Sequence, residues 1–176
     1  SMGGEAAVHL SFMFHGLARV LKPGRAAVVH VCQIPRMKRS GGVGLCDFRG
    51  TNIRLGERAG LTYEYDWTVR KNPQSQAIRT RSRELQFSGL ENDRAAQRGT
   101  LNDYLIKFRK PGENKVKIDT KAQVSRNDWI AWAEGCWDDV QETDTLNTKV
   151  AKSDDDTKHI CPLQLEVIRR CMRLWS

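Results

Sequence analysis

The chain has 176 residues, enough for one domain with a sizeable core. Its 29 Lys and Arg against 21 Asp and Glu leave a net charge of +8, which favours an anionic partner such as a nucleic acid, a ribosome or a membrane face. No run of about 18 apolar residues exists, so an ordinary membrane span is excluded. The 5 cysteines are odd in number with no C-x-x-C pair, which speaks against a disulfide framework or zinc knuckle and for reduced thiols in the cytosol.

Leu10, Phe14, Leu17 and Leu21 recur at helical spacing, with Val8, Phe12 and Val20 beside them, and Lys22-Pro23-Gly24 ends that helix. Ala26 to Cys32 is apolar almost throughout and rich in valine. That pattern predicts a strand covered on both faces in a parallel sheet, with His30 as a satisfied core histidine. The segment Ile34 to Phe48 is glycine-rich and basic but matches neither G-x-x-x-x-G-K-[ST] nor G-x-G-x-x-G. A short helix is expected from Thr51 to Ala59 with Gly60 at its end.

From Leu61 to Arg70 the residues alternate, placing Leu61, Tyr63, Tyr65, Trp67 and Val69 on one face of a half-buried strand. A second strand, Tyr104 to Lys110, carries Tyr104, Ile106 and Phe108 on one face and should pair antiparallel with the first. Roughly thirty residues separate the two strands, far beyond an ordinary hairpin loop. This connection is biased toward arginine and holds Lys71, Arg79, Arg81, Arg83, Arg94 and Arg98, together with the amides Gln74, Gln76, Gln86, Asn92 and Gln97. Guanidinium forks match phosphates and guanine edges, and side-chain amides match adenine, so the six basic residues are the candidate DNA contacts. A solvated surface loop is the plainer alternative.

A lysine-rich linker follows, then a segment where Trp129 and Trp132 share a helical face and Trp137 comes next. Core packing is the favoured role for these tryptophans, base stacking the other. Ser153 to Thr157 lacks the spaced ligands and glycine of a calcium loop, and no metal site is expected. In the last stretch Pro162 can open a helix in which Leu163, Val167 and Cys171 share a face, with Glu166 four residues before Arg170.

His159-Ile160-Cys161-Pro162-Leu163-Gln164, followed by L-E-V-I-R and two turns ending in L-W-S, resembles the motif that opens the cofactor-binding half of amino-group DNA methyltransferases. The match is to the circularly permuted order of that N6-adenine and N4-cytosine class, with Pro and Gln exchanged relative to the usual H-P-x-Q-x-P. R-V-L-K-P-G before the first strand is similar to the helix-to-strand unit of Rossmann-like methyltransferases. K-N-P, R-T-R and L-N-D-Y-L-I-K-F-R-K-P-G-E-N resemble the DNA methylases often found in prophages, and the likeness runs from about Leu10 to Ser176.

The resemblance implies an α/β fold: a partial Rossmann-like class I methyltransferase sheet with one buried parallel strand and an antiparallel pair joined by the long basic connection. It divides the chain into a core at 8–70, a target-recognition connection at 71–100, a strand at 101–112, a linker with the tryptophan segment at 113–157, and the opening helix of the cofactor half at 158–176. It implies S-adenosylmethionine as cofactor, with His159, Cys161, Pro162 and Leu163 near it, and DNA as partner, with the target base flipped out of the duplex. The family's Pro-Pro-aromatic catalytic tetrapeptide and its F-x-G-x-G cofactor loop do not occur in these residues. The expectation is therefore an excised fragment with no catalytic residue of its own, no affinity for S-adenosylmethionine, and uncovered apolar faces that drive a homodimer or higher oligomer. A non-enzymatic DNA-binding or assembly module and one half of a split methyltransferase are the alternatives.

Overall fold

The computed structural model describes residues 4–36, 44–80, 90–91, 93–96, 98–117, 124–146 and 163–176. In chain order they form α1 (Gly4–Val20), β1 (Ala26–Cys32), β2 (Ile34–Pro35), β3 (Leu45–Cys46), α2 (Phe48–Arg58), β4 (Thr62–Val69) and α3 (Pro73–Thr80). A 3-10 turn (Arg94–Ala96), β5 (Asp103–Arg109), α4 (Arg126–Trp132), β6 (Cys136–Trp137) and α5 (Leu165–Trp175) complete the set. The main sheet has the order β1-β5-β4-β6, and β2 pairs with β3 in a separate ribbon. β5 runs antiparallel to both β1 and β4, while β6 joins β4 in parallel, so the fold is α/β with a mixed sheet.

The expected antiparallel pairing of the two strands around the connection is present, with Val69 opposite Asp103 and Thr62 opposite Arg109. β1 departs from its expected setting. Among the described residues it is an edge strand, and its one neighbour, β5, is antiparallel to it. An unbroken apolar run reports two covered faces, and β1 has them: Val29 and Val31 pack toward one cluster and Val28 toward the other. The run carries no information about which strand lies beside it.

One face of the sheet meets α1 and α2 through Phe14, Val31, Leu61, Ile106 and Phe108. The other meets α4 and α5 through Val69, Leu105, Trp132, Trp137, Val140 and Val167. Strict alternation would hold Leu61, Tyr63, Tyr65, Trp67 and Val69 on one side. A register shift between Tyr63 and Tyr65 breaks it. Tyr63 packs on the Phe108 side, whereas Trp67 crosses to Trp137 and Trp175, at ring separations of 6.5 and 4.8 Å. A bulge adds one residue to one strand and thereby turns the following side chains to the opposite face.

α2 begins at Phe48, earlier than the expected Thr51. Gln33 Oε1 accepts from the Phe48 and Arg49 amides at 2.8 and 3.2 Å, and Asp47 Oδ1 accepts from Gly50 N at 2.9 Å. These side chains satisfy first-turn donors that a helix cannot bond internally. On α4, Trp132 is buried and Trp129 is exposed, so the expected shared packing face holds for one tryptophan only. Arg170 sits within the apolar face of α5, its guanidinium over the rings of Trp132 and Trp137 and bonded to Asp139 and Glu166. The paired carboxylates and the ring faces make burial of that charge tolerable.

Candidate nucleic-acid interface

β1 and β4 run in the same direction, and both end where β5 begins. Cys32 and Val69 stand in register with Asp103 from its two sides. The carboxyl ends of parallel strands are where α/β sheets hold ligands. The basic connection leaves β4 and returns to β5 at this edge.

The edge is built around Asp103. Its Oδ2 lies 2.8 Å from His30 Nε2 and 2.8 Å from Lys71 Nζ. Burial pushes the Asp103 carboxyl up, but the hydrogen bonds from His30 and Lys71 outweigh it and hold the group below the ordinary aspartate range. Burial, then the Asp103 charge, pushes the neighbouring Cys32 thiol up to about 11. His30 thus has a partner, as expected, but at an exposed position on the edge strand rather than in the core.

The connection is bonded across its base. The Lys71 amide donates to Asn102 Oδ1 at 3.2 Å, and Gln76 Nε2 donates to the Leu101 carbonyl at 2.8 Å. Asn72 Oδ1 caps α3 by accepting from Gln74 N and Ser75 N at 2.9 and 3.0 Å, and the Asn72 amide donates to Glu142. An asparagine at this position is a strong helix start because its side chain replaces the missing backbone acceptor.

Of the six expected DNA contacts, the side chains of Lys71, Arg94 and Arg98 are among the described residues. Lys71 is 5 % exposed and committed to Asp103, so it is not a free phosphate contact. Arg94 is exposed on the 3-10 turn, and Arg98 is half-buried with its guanidinium 3.4 Å from the Gly99 carbonyl. Arg79 belongs to the backbone of α3, its side chain outside the described residues; Arg81 and Arg83 also lie outside them. Gln76, expected among the base-reading amides, is buried in the base of the connection.

Of the expected cofactor contacts, His159, Cys161 and Pro162 lie outside the described residues. Leu163 packs against the cluster of Val69, Leu105 and Val167, so its side chain is a core contact. Beside the start of α5 an open cleft of about 350 Å³ is lined by Asp139, Gln141, Thr143, Asp144 and Glu166. Two of its carboxylates are already bonded to Arg170. Among the described residues no group of His, Cys, Asp and Glu is placed to hold a metal.

Sequence reasoning missed Asp103 and Asn102. The available signal was a lone carboxylate opening a strand whose next residues, Tyr104, Leu105 and Ile106, are apolar or aromatic.

The chain is similar to a protein of Thermus thermophilus described as a candidate DNA modification methylase. Against its complex with S-adenosyl-L-methionine the TM-score is 0.69 at 17% identity, over 97% of this chain and 58% of that one. Its selenomethionine form gives 0.67 at 16% identity over the same shares. At such identity the likeness is one of fold, and the chain spans just over half the length of that protein's chain. No protein-family model and no curated protein matches the sequence. The α/β class expected from sequence is therefore the observed one, and the fold is shared with that protein.

Proposed function

We propose that the chain is part of a site-specific DNA methyltransferase that moves a methyl group from S-adenosylmethionine to the exocyclic amine of adenine or cytosine, with residues 71–100 facing the DNA. The observation that carries this reading is the fold shared with the Thermus methylase over 97% of the chain, together with an arginine-biased connection at the carboxyl ends of β1 and β4. In an enzyme of that kind the cofactor supplies an activated methyl group. The residues of this chain supply the sheet edge, the connection and the charge that attracts the duplex. The prophage type, the permuted order and the cytoplasmic setting belong to the same proposal.

The chain by itself gives no methyl transfer and no measurable affinity for S-adenosylmethionine in this reading. DNA affinity needs only phosphate neutralisation, which Lys and Arg supply without catalytic groups. Anisotropy titrations of a labelled duplex across a salt series should give log affinity against log salt with a slope of about −3 to −4. Replacing Arg79, Arg81 and Arg83 together by Ala should flatten that slope by about two units. A triple variant that binds like the parent would make the connection a plain surface loop. Calorimetry that detects S-adenosylmethionine binding would overturn the assignment of the chain as a cofactor-incompetent part.

A further inference from the structure

We infer that Lys71, Gln76 and Asp103 form a clasp that fixes the arginine-rich connection at its base, with Lys71 a positioning residue rather than a phosphate ligand. The inference deepens the DNA-facing reading of residues 71–100 and rests on it for its functional half. Lys71 Nζ and Asp103 Oδ2 are 2.8 Å apart, and the two side chains are 5 % and 9 % exposed. An ammonium in that setting cannot reach a phosphate without breaking a buried pair and leaving Asp103 with His30 alone. The pair is also neutral as a unit, so it releases no counterion on DNA binding.

The same two chain segments are tied twice more. Gln76 to Leu101 spans 25 residues and Lys71 to Asn102 spans 31. Gln76 is 4% exposed, on the turn of α3 that Asn72 initiates, and the Gln76 amide itself donates to the Asn72 carbonyl at 3.1 Å. The outgoing side is equally committed, because Leu101 and Asn102 accept these bonds immediately before Asp103 enters the sheet between Cys32 and Val69. A long connection closed at its base has less freedom to lose when it settles on a ligand. The clasp therefore contributes to DNA affinity through the placement of α3 and the residues beyond it, not through charge.

The test uses the whole chain, a labelled duplex and three proteins: the parent, Lys71→Met, and Lys71→Met with Asp103→Asn. Amide hydrogen exchange of residues 73–80 is measured without DNA, and duplex affinity is measured across a salt series. Lys71→Met strands the Asp103 charge, so α3 should exchange faster. If the connection is then in place about one tenth of the time, affinity falls about tenfold with the salt slope unchanged. Adding Asp103→Asn removes the stranded charge while keeping an acceptor for His30, so both readouts should recover in part but stop short of the parent, whose pair is still missing.

A slope that flattens by about one unit in Lys71→Met would instead make Lys71 a phosphate ligand and overturn the clasp. Unchanged exchange of α3 would do the same. Should Lys71→Met fail to fold, the double variant decides, since faster exchange of α3 at an unchanged slope supports the clasp, and parent-like exchange or a flattened slope refutes it. If the parent binds no duplex, the DNA reading fails by that result. The clasp then stands or falls on the exchange of α3 alone.

Discussion

At the scale of single residues, the chemistry divides the described thiols sharply. Cys171 lies on the core-facing side of α5, where burial pushes its thiol up to about 12, and Cys32 beside Asp103 is pushed up to about 11. Cys136 is exposed. Alkylation needs an accessible thiolate, and burial works against both needs at Cys32 and Cys171, so peptide mapping at pH about 8 should find exposed Cys136 labelled faster than either, by about tenfold or more. Labelling Cys171 as fast as Cys136 would contradict the packing of α5.

The carboxylates around Arg170 give a second expectation. The Arg170 hydrogen bond holds Asp139 below its usual range; burial pushes Glu166 up, but bonds from Arg169 and Arg170 outweigh it and hold that carboxyl below the ordinary glutamate range. The unfolded chain then takes up protons first on acidification. This contribution is complete above the ordinary carboxylate range near pH 4 and is lost as pH falls through the depressed folded values. Urea midpoints measured from pH 7 down to about pH 3 should fall, and Asp139→Asn should flatten the dependence. Little of this was legible in the chain. Glu166 and Arg170 could be paired by helical spacing, but Asp139 meets Arg170 only through tertiary folding. Lys71 shows the same gap, since composition reports its charge and says nothing of Asp103, which lies across the connection.

At the scale of elements, periodicity was a good guide wherever one strand or helix face meets one layer. Tyr104, Ile106 and Phe108 do share a face, and Phe14, Leu17 and Leu21 do turn toward the core. It failed on β4, because a bulge shifts the faces without leaving a mark in the hydrophobic pattern. It failed on Trp129 because the about 60° around the axis that separates residues three apart decides which tryptophan is covered. The packing of α2 on β5 yields a paired prediction. A Cβ on Gly56 would collide with the ring of Phe108, which is fully buried and flanked edge-on by Phe14 and Tyr63 at 5.6 and 6.3 Å. Gly16, on α1, has open space around it. Gly56→Ala should therefore destabilise the fold by about 1–2 kcal/mol net, overpacking outweighing the gain in helix propensity. Gly16→Ala should stabilise it by about 0.5–1 kcal/mol. Denaturant midpoints of the two variants check both signs, and a stabilised Gly56→Ala would mean that α2 can move away from β5.

At the scale of the whole molecule, the described residues leave apolar surface and strand backbone uncovered. On α1, Val8, Phe12, Met13 and Val20 are 52, 71, 44 and 68 % exposed, on the side away from the buried Phe14. β1 borders the described sheet with β5 as its single neighbour, so its outer backbone groups have no ladder partner there. A valine-rich edge strand beside an exposed apolar helix is a template for pairing, and no proline or inward charge in Ala26–Cys32 blunts it. The net charge of +8 opposes close approach of two copies at low salt, and salt screens that repulsion without weakening apolar contact. The chain should accordingly form a homodimer or higher oligomer, and more readily as salt rises, the reverse of its expected DNA affinity. Light scattering on a size-exclusion column at two salt concentrations tests this. Phe12→Asp should shift the population toward monomer while leaving the circular dichroism spectrum unchanged, because Phe12 contributes to neither core cluster. A parent that stays monomeric at both salt concentrations would show that the exposed face of α1 and the edge of β1 do not suffice to hold two copies together.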